Sequence, residues 1–317
     1  MYAPRESPGT IESGHQGIPA PDACSVCVQQ ERRKKVLNAF LKSSRVQEAI
    51  LSSGGVRAVL SARANELVRL SMVHLLSGAV PLYVINEFPK SGGTWVGQML
   101  GRALRVPFPR NRFPVLRPSI MHGHYLSPFG VKNAVAVWRD GRDVMVSWYH
   151  QQLLPHEHRN DAQVERTRRE VSFKDYENVY ENLPAFIEYA FTKPHSPSFS
   201  WTDFVHRWHQ LNNVVHVRYE DVRRDAPGEL RRVVRELTGT NLDREAATAI
   251  AAEFTFERQS GRRSGEEDKK SFLRKGVVGD WKEQFSQEAR EVFDRHAGRE
   301  LILLGYEKNH EWVKSEK

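Results

Sequence analysis

The sequence predicts an α/β protein: a three-layer fold with a central parallel β-sheet flanked by helices, plus an N-terminal helical extension. Two observations carry this. Three short apolar runs, Leu82-Tyr-Val-Ile-Asn86, Ala134-Val-Ala-Val-Trp138 and Val214-Val-His-Val-Arg-Tyr219, read as strands without polar alternation, the pattern of strands buried on both faces. Each is followed by a turn and a helical stretch: Trp95 to Leu104, a helix from near Arg142, and a helix from Pro227. Strand, turn and helix in repetition is the unit of a parallel sheet.

In chain order, residues 1–23 are rich in Pro, Gly and Ser, and residues 1–30 are expected to form a tail without fixed structure. A helical pattern carrying Val36, Phe40, Leu41, Leu60, Leu67 and Leu70 then runs through 31–80, interrupted at Ser52-Ser-Gly-Gly55. It is expected to be an extension capping the main domain at 81–310. Within that domain, 151–200 is charged and irregular, as an excursion from the scaffold would be: either a wall on the acceptor side or a solvated insertion.

The 317 residues include 39% hydrophobic and 27% charged residues, which excludes a wholly disordered or collagen-like chain. No run of ~18 apolar residues predicts a membrane span, and the N-terminus has no apolar core of a secretory signal. Two cysteines, Cys24 and Cys27, exclude a disulfide scaffold and suit a reducing, cytoplasmic setting. The net charge of +8 fits an anionic ligand as well as simple solubility. No nucleic-acid module is recognisable.

Three segments have the chemistry to hold anions. Phe88-Pro-Lys-Ser-Gly-Gly-Thr-Trp95 is a glycine loop between a strand and a helix, a P-loop-type element whose N–H groups and helix N-terminus suit a phosphate. It lacks the Lys-Ser/Thr pair that follows the last glycine in nucleotide triphosphatases, so no magnesium site is expected. A tight structural turn is the competing account. Val137-Trp-Arg-Asp-Gly-Arg-Asp-Val-Met-Val-Ser-Trp-Tyr-His150 places Arg139 at a strand's C-terminal end and Ser147 one to two turns into a helix, where both could share one phosphate; an Arg–Asp surface pair fits equally. Phe272-Leu-Arg-Lys-Gly-Val-Val-Gly-Asp-Trp281 sets two cations beside Gly276, as an anion clamp or a solvated basic loop.

Taken in order, the three segments resemble the cytosolic-type sulfotransferases, which use 3′-phosphoadenosine 5′-phosphosulfate (PAPS) and release 3′,5′-phosphoadenosine (PAP). PKSGGTW is similar to that family's PKSGTTW, RDGRDVMVSWYH to its R-D-P-R-D-V-x-x-S-x-Y-H, and RKGVVGDWKEQF to its R-K-G-x-x-G-D-W-K-x-x-F. The resemblance spans roughly Leu82 to Tyr306. It implies that Lys90, Ser91, Gly92, Gly93 and Thr94 hold the 5′-phosphosulfate, and that Arg139, Ser147, Arg274, Lys275 and Gly276 hold the 3′-phosphate. It also implies that Trp95, Tyr219 and Phe256 contact the adenine. In Met121-His-Gly-His-Tyr125, His124 aligns with the family's catalytic base, with Lys90 and Ser147 assisting. Three positions depart from the pattern: Gly93 replaces a Thr, Gly141 a Pro, and His122 the family's Lys. The dimer motif is half kept, in Lys282, Ser286, Gln287 and Glu291, so a homodimer is possible at most.

The implied reaction moves a sulfuryl group in line to a hydroxyl or amine of a small-molecule, lipid or glycan acceptor. Positioning and charge stabilisation would dominate, with an imidazole of ordinary pKa ~6.5 taking the acceptor's proton. A P-loop kinase-like phosphotransferase and a catalytically inactive nucleotide-binding protein are the alternatives. A metal at His122-x-His124 lacks a third ligand of matching spacing. Phe108, Phe113, Phe129, Trp148 and Tyr149 line an acceptor pocket or fill the core.

Overall fold

A computed structural model describes residues 64–65, 67–76, 82–110, 117–157 and 161–314. The tail, most of the helical extension, Cys24, Cys27 and Phe113 lie outside the described residues. What is described from Asn65 onward belongs to one compact unit.

The sheet has four parallel strands. They are β1 (Leu82–Glu87), β2 (Ser119–Gly123), β3 (Ala134–Trp138) and β4 (Val214–Arg218), in the order β2-β1-β3-β4. Three are the expected apolar runs. β2 is additional: Ser-Ile-Met-His-Gly has too few β-branched residues to announce a strand, and it forms by pairing Ile85 with His122 and Asn86 with Gly123. The sheet is buried on both faces. Val84, Ala134 and Ala136 belong to one apolar cluster, while Ile85, Val135, Val137 and Val217 belong to a second. That is why β1 and β3 lack alternation, while the edge strand β4 carries the half-buried His216 and Arg218.

The helices follow the strands. α1 (Gly93–Leu104) continues β1 through the glycine loop, and α2 (Gly141–Leu153) continues β3. α3 (Asp161–Glu170) and α4 (Val179–Thr192) lie in the stretch from 151 to 200. That stretch is therefore not irregular, and it contributes to the core through Thr167, Leu183, Phe186 and Ile187, all fully buried. Its charge and the Pro184 inside α4 obscure the helical pattern. α5 (Trp201–Trp208) opens on a Ser200–Asp203 capping box and buries Trp201, Phe204 and Trp208. Substituting such a cap by Ala costs ~1 kcal/mol.

After β4 come the short α6 (Tyr219–Arg224) and then α7 (Ala226–Thr238), started by Pro227 and stopped by Gly239. α8 (Arg244–Glu253) and α9 (Phe256–Ser260) follow, then α10 (Trp281–Gln284) and α11 (Gln287–Leu303). Among the candidate acceptor aromatics, Trp148 and Tyr149 are core residues and Phe129 is 78% exposed. Among the described candidates, Phe108 stands near the site, its ring edge-on with that of His122 at 6.1 Å between centroids. At the half-kept dimer motif, Ser286 caps α11 and the Gln287 amide bonds Glu291 along the helix.

Candidate active site

The phosphate-loop segment is shaped by two left-handed residues, Lys90 (φ 72°) and Gly92 (φ 97°). At Gly92 a Cβ would stand 2.5 Å from the Tyr219 ring, so only glycine fits both the turn and the approach. Lys90 is no glycine and its conformation costs ~1–3 kcal/mol unless its surroundings enforce it. The enforcing contact is Arg139, whose Nη1 donates to the Lys90 carbonyl at 3.0 Å. The same guanidinium donates from Nη2 to the Val277 carbonyl at 3.3 Å and lies over the Tyr219 ring at 4.6 Å. One arginine at the end of β3 thus ties the first corner to the third. Asp143 in α2 completes the tie by accepting from the Gly279 and Trp281 N–H groups at 2.8 and 3.0 Å.

The three corners line a single cleft with about 900 Å³ of space, part of it open to solvent. Lys90, Gly92, Thr94 and Trp95 come from the loop and α1, Arg139 and Ser147 from β3 and α2, Tyr219 from the end of β4, and Arg274, Lys275 and Gly276 from the third corner. Phe256 closes one wall, its ring against Gly276. Two predicted loop residues face elsewhere. Ser91 is buried beneath the loop, and the Gly93 N–H donates to the Glu87 carboxylate at 2.5 Å.

The cleft is cation-rich. Burial, and then the Arg139 charge, push the Lys90 ammonium down to about 7, with Glu87 opposing and Arg274 and Arg110 adding to the repulsion. Lys90 rests over the Phe272 ring, 4.0 Å from its centroid. Arg274 pairs with Glu267 and Asp280, while Lys275 reaches Asp280 at 2.6 Å and Glu283 at 3.0 Å. The Nε atoms of Arg139 and Arg274 are nonetheless buried without a partner among the described residues. So are Trp95 Nε1 and Gln98 Oε1. Unsatisfied buried donors of this kind are costly unless a ligand meets them. A cleft lined by Lys90, Arg139, Arg274 and Lys275, with an aromatic wall and a glycine loop, therefore suits an anionic ligand with an aromatic part.

His124 does not line this cleft. It stands just past β2 beside Glu87 and is exposed to solvent. Its Nδ1 lies 2.8 Å from the Glu87 carbonyl. A carbonyl can only accept, so Nδ1 carries the proton and Nε2 keeps its lone pair. The protein packed around the ring, and then the neighbouring His122, hold the His124 pKa below the usual imidazole value, leaving the ring neutral at pH 7. His122 contacts His124 ring edge to ring face, 5.4 Å between centroids, and its Nε2 lies 2.8 Å from Glu87 Oε1.

Glu87 is the residue the sequence did not announce. It is 4% exposed, lines the cleft, and touches the loop, His122 and His124 at once. Burial works against its charge. The His122 hydrogen bond, the charges of both histidines and the Gly93 N–H outweigh that and hold its pKa below the usual glutamate value. Its only sequence signal was an acidic residue at the C-terminal end of a buried strand, where ligands meet parallel sheets. Arg110, Gln98, Arg223 and Phe272 were likewise not foreseen and stand at or beside the cleft.

Comparison with known proteins places the chain in a family. Residues 131–305 match the family described as the sulfotransferase domain. An amine sulfotransferase of Oryctolagus cuniculus is 27% identical over 68% of this chain and 78% of its own length. A bovine (Bos taurus) sulfotransferase 1A1 is 23% identical over 69% of this chain and 82% of its own. Among solved structures, a mouse sulfotransferase complexed with PAP aligns with TM-score 0.52 and 18% identity, covering 74% of this chain and 88% of that one. A retinol dehydratase complexed with retinol and PAP aligns with TM-score 0.51 and 15% identity, covering 75% and 86%. The two structures share the fold, and the matched domain sets aside the kinase suggested by the loop alone. Residues 131–305 carry the second and third corners, and on that match the chain belongs to the sulfotransferase family.

Proposed function

We propose that this protein transfers a sulfuryl group from PAPS to the hydroxyl or amine of a small-molecule, lipid or glycan acceptor, releasing PAP. The observation that carries the proposal is the cleft itself. Three anion-suited corners and an aromatic wall share one space, with His124 hydrogen-bonded to the backbone of Glu87, a residue that lines it. The PAP named with the solved relatives supports the choice of donor.

When bound, PAPS supplies an activated SO₃ group whose bond to the phosphate oxygen breaks as the bond to the acceptor forms. Arg139, Ser147, Arg274, Lys275 and Gly276 are assigned the 3′-phosphate, and Trp95, Tyr219 and Phe256 the base. Lys90, Gly92 and Thr94 are assigned the 5′ end, with Ser91 and Gly93 shaping the loop behind them. Lys90 meets the charge that grows on the leaving oxygen, and a bound anion shifts its titration upward from about 7, so it works as an ammonium. His124 receives the acceptor's proton at Nε2. A base of such low pKa suffices because the acceptor becomes strongly acidic only as its new bond to sulfur forms. Ser147 assists from the cleft wall. The domain from 81 to 310 is assigned the whole reaction, the stretch 151–200 its acceptor side, and the cytoplasm its setting.

The test is calorimetry with PAP, followed by transfer from ³⁵S-labelled PAPS to a panel of phenols, aliphatic alcohols, anionic glycans and amines. Amines belong in it because a relative bears that name. Binding of PAP with formation of a labelled ester or sulfamate is the expected result. Binding without any labelled product fits the inactive nucleotide-binding alternative.

A further inference from the structure

The 5′ end of the cleft already contains an anion belonging to the protein. α1 begins at Gly93 with no side-chain cap, so the first N–H groups of a twelve-residue helix point at the loop. The Gly93 N–H is taken by Glu87 Oε2 at 2.5 Å. The other oxygen, Oε1, lies 2.8 Å from His122 Nε2. A Cβ on Gly93 would stand 2.7 Å from the Glu87 carboxyl carbon, so a side chain at 93 and the carboxylate in this place exclude one another. Two of the departures noted in the sequence, Gly93 for Thr and His122 for Lys, are therefore neighbours of a single residue.

We infer that Glu87 is the internal counter-anion of the phosphate loop: it occupies a helix N-terminal donor that a phosphosulfate would otherwise use, and so sets a deliberately weakened affinity for the donor nucleotide. The inference rests on the sulfuryl-transfer function proposed above. Glu87 acts through the loop and the histidines and is a positioning residue. It faces Lys90 from the loop, His122 from β2, His124 just beyond β2 and Arg110 after α1. Beside Lys90 and Arg110 the carboxylate holds the empty loop through the Gly93 N–H. An arriving dianion must then share that field with a like charge, which disfavours its binding.

The experiment is PAP calorimetry on the wild type and Glu87→Gln, which keeps the shape and removes the charge. The measurement is made at pH 5.5, below the value of about 7 to which Lys90 is pushed in the wild type, to limit any change in its protonation when the carboxylate is lost. Glu87→Gln is expected to bind PAP about tenfold more tightly. A gain is the informative sign, because a residue of structural value only produces equal or weaker binding when altered. Should the melting curve show that Gln disturbs the fold, Glu87→Ala takes its place with the same expectation. In parallel, Gly93→Ala should lower the melting temperature of the wild type and lower it less in Glu87→Ala.

Equal or weaker PAP binding by both Glu87 variants overturns the inference. So does a Gly93→Ala cost that is the same in both backgrounds. Wild-type protein that binds no PAP at all sinks the proposed function itself; wild-type binding with unimproved variants sinks only the role of Glu87.

Discussion

The nucleotide side of the cleft and the transfer side are built on different plans. On the nucleotide side, Arg139, Ser147, Arg274, Lys275 and Gly276 keep the family's residue types, and their cations are pre-arranged by Asp143, Asp280 and Glu283. On the transfer side, Gly93 and His122 depart from the pattern and both meet the buried carboxylate of Glu87. The first plan grips a ligand through many fixed donors. The second gathers one carboxylate, Lys90 and two histidines where the proposed function puts the reacting centre. On the proposed assignment, the difference teaches that gripping the donor and moving its sulfuryl group depend on separable groups of residues.

The comparison breaks most clearly at the histidine. His124→Ala should lower turnover by about 10²–10⁴ at saturating donor while leaving the PAP dissociation constant within about threefold of wild type, an expectation drawn from its place outside the cleft lining. Unchanged turnover in a labelled-sulfate assay, with an acceptor found in the panel, removes it as the base. Next, Lys90→Ala should cost about 10²–10³ in turnover, the usual loss when one preorganised charge donor is removed. Because Lys90 also faces the ground-state anion, its PAP affinity should fall as well, and calorimetry separates the two effects.

On the nucleotide side the split reverses. Arg274→Ala should weaken PAP binding by about 10–100-fold, corresponding to the ~1.5–3 kcal/mol of a charged hydrogen bond, with a smaller change in turnover at saturating donor. Equal PAP affinity would reject the 3′-phosphate assignment. The mildest effect is one of pH. An anion binds the protonated form of Lys90, and that group titrates at about 7 in the empty protein. PAP affinity should therefore be flat with respect to Lys90 below pH ~6 and fall by up to about tenfold per unit above pH ~7. In Lys90→Met that alkaline decline should vanish; its persistence would place the titration on another group.

Much of the nucleotide side was legible in the sequence because its signals are local. A glycine loop after an apolar strand, or Arg139 at a strand end, reports its chemistry within a few residues. Arg142 and Asp143 in the same motif carried a different message. They are structural, Arg142 bonded to Asp140 and Asp143 to the third corner, and residue type alone did not separate them from Arg139. β2 was hidden since its sequence carries little strand preference, and pairing with β1 makes it a strand. The helices of 151–200 were hidden by charge on α3 and by Pro184 in α4. Trp148 and Tyr149 proved to be core residues because the face of α2 that carries them turns toward the helices of that stretch.

By itself the sequence determined the parallel α/β plan, the order of three anion-suited corners and the identity of the groups in them. Those follow from patterns confined to neighbouring residues, and local pattern is what a chain can display before it folds. Only the tertiary structure decided that Glu87, Gly93, His122 and His124 form one cluster. Their meeting depends on the β1–β2 register and on where α1 begins. Burial then gives a single carboxylate its influence, because charges removed from water act strongly on whatever the fold sets beside them.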